Sequence, residues 1–221
     1  MIDIEAYIAQ LKDALLRQFG ARLVYMGLQG SYLRGEANEH SDIDIMIVLD
    51  ALSVADLDAY HGIVKSMDYA HLSCGFICST EDMGHWNPLE IWNLVNGTKD
   101  FHGKLTSLVP AYTEEDVRNY VKMSLNNLYH AVCHTRIHGG RDASMASLPA
   151  IYKGVFFILQ GMHYLRSGRY IATKAELLEH LEGTDRDVME RSLELSRGIA
   201  HDYDNSFLTL FSWCQDAMKS I

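Results

Sequence analysis

Leu28-Gln29-Gly30-Ser31-Tyr32-Leu33-Arg34-Gly35-Glu36-Ala37-Asn38-Glu39-His40-Ser41-Asp42-Ile43-Asp44-Ile45-Met46-Ile47-Val48-Leu49-Asp50 is the stretch that decides how this chain folds. It follows an apolar run, Leu23 to Leu28, that reads as a short buried strand. Gly30 lets the backbone approach a bulky anion. Ser31 opens a short helix whose unpaired N–H groups suit phosphate oxygens. Asp42 and Asp44 stand where a second apolar run, Ile43 to Leu49, begins. Residues two apart on a strand share a face. Both carboxylates therefore project side by side, while Ile43, Ile45 and Ile47 point into a core. Two hard oxygen ligands on one strand suit Mg²⁺ carrying phosphates. Ser41 precedes the doublet and is placed to bond its turn.

The rest of the composition sets limits. The chain has 221 residues, 48% hydrophobic and 22% charged. That is enough for one large domain or two small ones with a sizeable core. The net charge of −10 argues against unspecific binding to DNA or RNA, which needs a basic surface. Cys74, Cys78, Cys133 and Cys214 form no metal-ligand pattern and read as thiols in a reducing compartment. Met1 to Leu11 lacks the basic start of a signal peptide. No apolar run approaches the length of a membrane span, so the expected location is the cytoplasm. Oligomerisation is left open.

Along the chain, helical spacing marks residues 3–19, with Gly20 as the stop. Residues 53–67 read as a second helix with Val54, Leu57, Tyr60 and Val64 on one face. Residues 72–80 read as a third strand. Asn87-Pro88 starts a helix that Asn96-Gly97 ends. Residues 98–112 have little periodicity and read as a linker, with the domain boundary at 105/106. Beyond it the pattern is helical: about 113–138, broken by Gly139-Gly140, then 145–167, a capping-box start at Thr173, about 184–202 and 205–219. The expected fold is an α/β domain with a small sheet, residues 1–105, followed by an all-α bundle, residues 106–221.

Gly30-Ser31, ten intervening residues, Asp42-x-Asp44 and an apolar strand together resemble the nucleotidyltransferases of the DNA polymerase β superfamily. The minimal nucleotidyltransferases and the aminoglycoside and lincosamide nucleotidyltransferases are the nearest in appearance. The resemblance implies a small mixed sheet and a bundle that binds substrate. It implies Mg²⁺-dependent transfer of a nucleoside monophosphate from a nucleoside triphosphate, ATP first, to a hydroxyl of a small-molecule acceptor, an antibiotic among the candidates. Asp42 and Asp44 then hold the metal, and Gly30 and Ser31 cradle the triphosphate. Arg34 reaches a phosphate or stays solvated. Lys153, on an apolar helix, is the lysine that such bundles send back to the triphosphate; Lys174, in its capping box, reads as solvated.

The resemblance also implies a third carboxylate on a later strand. Residues 72–80 contain none. Glu81 and Asp82 come next, so Glu81 is the expected base, then Asp82, with Glu90 third. The missing acid within the strand motivates an alternative, a non-catalytic nucleotide-binding or antitoxin-like regulatory module; modification of a protein side chain is a further option. His130, His134 and His138 share one helix face but span two turns, about 12 Å, too far for all three to hold one metal. They read as a polar face or a groove wall. Arg197 and His201 are one residue too close for the nuclease motif of accompanying toxin domains.

Overall fold

Asp3 caps helix α1 (Ile4–Phe19) by accepting from the Ala6 N–H. The structure is a computed structural model that describes residues 2–39 and 41–221. Its chain divides into two compact units, one ending at Tyr112 and the other starting at Thr113.

In the first unit, α1 is followed by strand β1 (Leu23–Leu28), helix α2 (Gly30–Arg34) and strand β2 (Ile43–Leu49). Helix α3 (Val54–Ser66), strand β3 (Ser73–Ser79), helices α4 (Thr80–Gly84) and α5 (Pro88–Asn96) and strand β4 (Lys99–His102) complete it. The sheet order is β3-β2-β1-β4. β1 is antiparallel to both β2 and β4, and β2 is parallel to β3. A parallel pair needs a crossover, and α3 supplies it.

The period of two along β2 divides the core. Ile43, Ile45, Ile47 and Leu49 pack with Tyr7, Leu11 and Leu15 of α1. Met46 and Val48 pack on the opposite face with Tyr25, Cys78, Met83 and Leu105. Both faces are covered, which explains why β2 reads as an unbroken apolar run.

Three expectations need correction. Residues 98–112 are no plain linker: they contain β4, and Leu105 is buried in the core of the first unit. A boundary at 105/106 would cut through that core. In α3, Val54 and Leu57 are exposed, while Ala59, Tyr60 and Ile63 pack inward. The one buried residue of α3 is Asp56.

The second unit is helical: α6 (Glu114–His138), α7 (Gly140–Ser167), α8 (Lys174–Glu179), α9 (Gly183–Ser196) and α10 (Tyr203–Ser220). Thr113 and Asp116 form the capping box that starts α6. Val121, Leu125, Tyr152, Phe156, Leu159 and Trp213 lie in its core. The Tyr152 hydroxyl donates to the Ser206 carbonyl at 2.7 Å, tying α7 to α10. By length and composition alone α7 could cross a membrane, but 50% of its most apolar window is buried within the unit, as in a core helix. The expected fold class, a small mixed sheet followed by a helical region, is the one observed.

Asp56 joins the start of α3 to the sheet. Arg22 donates to both its carboxylate oxygens, at 2.8 and 3.0 Å, and Ser53 shares it in a capping box. The Arg22 hydrogen bonds, then those from Ser53, hold this carboxyl well below the usual range. A carboxylate with a depressed pKa stabilises the fold above its unfolded pKa and loses that contribution as the pH falls. Asp56→Asn should therefore lower the thermal midpoint at pH 7. The gap from the parent should narrow below roughly pH 4, where the unfolded carboxylate takes up its proton. Thermal melts across pH check this; a gap independent of pH would remove the charge from the explanation.

Candidate active site

The close approach of Gly30 to Asp44 builds the site. The Gln29 N–H donates to the Asp44 carbonyl at 2.9 Å, extending the β1–β2 ladder to the edge of the turn. The chain then turns into α2 through Gly30, at φ +70°. A Cβ at this position would fall on the Asp44 carboxylate oxygen, and its conformation is one that L residues disfavour. Glycine is thus required twice, for its backbone angle and for the space it leaves to a carboxylate. Ser31 follows within the first turn of α2.

Asp44 is half-buried and Asp42 is exposed. The Asp44 carboxyl is pushed up from its ordinary value, first by burial. The charge of Asp42 adds to the shift, while the Cys74 thiol, which hydrogen-bonds it, and Arg34 oppose it. Arg34 is largely covered and is bonded to Glu36 at 2.9 Å, yet close enough to act on Asp44. Ser41 braces the turn before the doublet: its hydroxyl accepts from the Asn38 N–H at 2.9 Å.

The structure thus brings Gly30, Asp42, Asp44 and Arg34 together, with Ser31 next to Gly30. Asp42 and Asp44 fit a divalent cation by donor type, since both are carboxylates. Among the described residues no group of three His, Cys, Asp or Glu side chains is placed to hold an ion. An ion here would need further ligands from water and phosphate, as Mg²⁺ usually takes them.

Glu81 is not at this end of the sheet. β3 runs parallel to β2, with Cys74 beside Asp44 and Ser79 beside Leu49. Five residues of strand, about 16 Å, separate the two levels. Thr80 at the far end bonds the Asp50 carbonyl at 2.8 Å. Glu81 therefore leaves the sheet at the wrong end, and the expectation that it leans over the site fails on strand direction. Asp82 goes with it and is held in a capping box with Ser79. Glu90 accepts from the Trp86 indole at 2.6 Å. Lys153 is exposed on α7 of the second unit. Lys174 lies over the Phe156 ring, 5.9 Å from its centroid.

Two features escaped the sequence reading. One is Cys74, the in-register neighbour of Asp44 on the same face of the sheet. The alternation of β3 could have marked it had the strand direction been known. The other is a cleft of about 590 Å³ at the same end of the sheet, lined by Tyr32, Asn38, Glu39, Tyr69 and His71. Its walls come from three separate segments, so no local motif announces it.

The family described as "Nucleotidyltransferase domain" matches residues 8–77. A protein adenylyltransferase, MntA, of Thermococcus cleftensis is 44% identical over 45 residues. The match covers 20% of this chain and 43% of that protein, so the chain spans less than half the length of its curated relative. The crystal structure of the spectinomycin adenyltransferase AAD(9) from Enterococcus faecialis, solved with ATP and spectinomycin, superposes with a TM-score of 0.61. It is 15% identical, and the superposition covers 97% of this chain and 99% of that one. The likeness is one of fold along nearly the whole chain.

The contact between Gly30 and Asp44 can be tested apart from function. Gly30→Ala should cost at least about 1–2 kcal/mol of stability, the positive φ alone accounting for that much. In an Asp44→Ala background the same change should cost measurably less, because the overlap with the carboxylate is gone. Equal costs in the two backgrounds, read from denaturant titrations, would mean that the two residues do not touch.

Proposed function

We propose that this chain, whose first unit resembles a nucleotidyltransferase domain of the DNA polymerase β type, is an Mg²⁺-dependent enzyme. It moves a nucleoside monophosphate, AMP first, from a nucleoside triphosphate to a hydroxyl of a small molecule. The observation that carries this reading is the Asp44 carboxylate seated on Gly30, with Asp42 free beside it and Ser31 at the start of α2. Bound Mg²⁺ would neutralise phosphate charge and help orient the reacting groups.

The chain's own residues supply positioning. Gly30 and Ser31 present backbone N–H groups and a hydroxyl to the triphosphate. Asp42 and Asp44 are the metal ligands, fixed by the rigid strand that follows them. Arg34 adds positive charge, and Ser41 holds the loop that carries the doublet. The helical unit binds the acceptor. The expected cellular location is the cytoplasm, and the expected partners are the nucleotide and the acceptor rather than nucleic acid or membrane. The acceptor hydroxyl gives up its proton to a base or to solvent, its oxygen bonds to the α-phosphorus, the bond from that phosphorus to the oxygen bridging to the β-phosphate breaks, and pyrophosphate leaves.

One observation favours a second reading. Next to Asp44, on the same face, the neighbouring strand offers a thiol and no carboxylate. A chain built this way could bind nucleotide without transferring it efficiently, as a regulatory module does. Incubation with Mg²⁺, labelled ATP and a panel of aminoglycosides and lincosamides separates the two. Pyrophosphate release that depends on an added acceptor supports the enzyme; nucleotide binding without release supports the module.

Asp44→Asn should abolish turnover and weaken Mg²⁺–nucleotide binding while the fold survives, since it removes a charged ligand and little volume. Full activity in that variant would end the leading proposal. Ser31→Ala removes one hydroxyl contact to a charged group and should weaken nucleotide binding by about 1–2 kcal/mol. Cys74→Asp places a carboxylate beside Asp44. If slow transfer reflects a missing base, the rate should rise by roughly 10²-fold, the usual contribution of a positioned base. An unchanged rate in a protein that already turns over would put proton removal elsewhere.

A further inference from the structure

We propose that the C-terminal end of α6 is a chelating site for a divalent ion that prefers imidazole, such as Zn²⁺, Ni²⁺ or Cu²⁺, held by His134 and His138 with His130 as the next rung. All three histidines are exposed, four residues apart on one face of the helix. Their rings form a ladder with centroids 5.5 Å apart between His130 and His134, and 4.6 Å apart between His134 and His138.

These spacings can be compared with what chelation requires. A nitrogen about 2.1 Å from the metal puts the ring centroid about 3.2 Å from it. Two such rings at angles of 90° to 109° have centroids roughly 4.5–5.2 Å apart. The His134–His138 pair already lies in that window, and His130–His134 lies just outside it. Three rings on one helix cannot reach one ion, but two neighbours can, with water completing the shell. His134 belongs to both pairs, so the ladder holds one ion at a time.

The surroundings rank the pairs in the same order. His138 is the last residue of α6, where the helix dipole presents its negative end to a cation. The arginines nearby are engaged elsewhere: Arg136 donates to the Tyr203 hydroxyl at 3.0 Å, and Arg141 pairs with Asp204. Neutral imidazole selects late first-row divalent ions, and affinity rises along the series toward Cu²⁺. Mg²⁺, a hard ion that keeps its oxygen ligands, does not compete. This site is therefore separate in chemistry from the paired carboxylates of the first unit.

The test is calorimetric titration of the full chain, without an affinity tag, with Zn²⁺ and separately Ni²⁺ in excess Mg²⁺. One ion per chain is expected. His134→Ala breaks both pairs and should lower affinity by on the order of tenfold or more, the scale on which metal sites respond to lost support. His138→Ala should lower it less, since His130–His134 remains. His130→Ala should leave it within about threefold, since the better pair is intact. All three are exposed helix positions where alanine favours the helix, so circular dichroism should be unchanged. A parent that binds neither ion overturns the proposal, as does a His134→Ala variant that binds like the parent. A loss of affinity on His130→Ala as large as on His134→Ala overturns the assignment of the pair.

Discussion

The contact of the Asp44 carboxylate with the Gly30 Cα is the constraint on which the first unit depends. It joins the end of one strand to the start of its neighbour at the point where the chain must turn. Any side chain at residue 30 would displace the carboxylate, and any longer approach would leave the turn away from the doublet. The hydrophobic alternation of β2 then does the aiming. Because Ile43 and Ile45 are buried on one face, Asp44 must emerge on the other, and a slip of one residue would bury it among aliphatic side chains.

That arrangement carries an electrostatic cost. Asp44 is partly withdrawn from water next to Asp42, and both burial and the neighbouring charge act against its ionisation. The thiol of Cys74 and the more distant Arg34 offset only some of this. Local conflict of this kind, placed on an otherwise consistent strand, marks Asp44 as a candidate functional residue. The contrast with Asp56 is instructive. That carboxylate is also covered, yet Arg22 and Ser53 stabilise its charged form, and it serves the fold alone.

Much of this was legible in the sequence because it rests on local rules. Strand, glycine turn and carboxylate doublet lie within one short stretch, and each has its own signature there. What failed was whatever depended on partners remote in sequence. β4, Lys99-Asp-Phe-His102, is too short and too polar to show a period, and it becomes a strand only because β1 offers it an edge. Of the apolar stripe expected on α3, Tyr60 packs inward while Val54 and Leu57 are exposed, so periodicity alone misplaced part of the buried face. Lys153 lies on a helix whose packing the period of 3.6 revealed, but exposure and role are separate matters.

Glu81 shows how one missing bit of topology changes a chemical conclusion. Pairing of β2 with β3 was a sound expectation, and so was the need for a base near the doublet. Only the direction of β3 was open, and direction decides which end of the strand meets Asp44. With α3 as a crossover the strands run parallel, so the start of β3 lies at the site and its end lies away from it. The residue set beside Asp44 is then Cys74, whose thiol hydrogen-bonds the carboxylate. A thiol is a weaker acceptor of hydrogen bonds than a carboxylate and offers no permanent charge. In the proposed transfer, more of the burden then falls on Asp42 and Asp44, on the phosphates of the nucleotide, or on an acceptor that brings its own base. The same sheet that fixes two carboxylates with great economy leaves the third position to the neighbouring strand, and here that strand answers with sulfur.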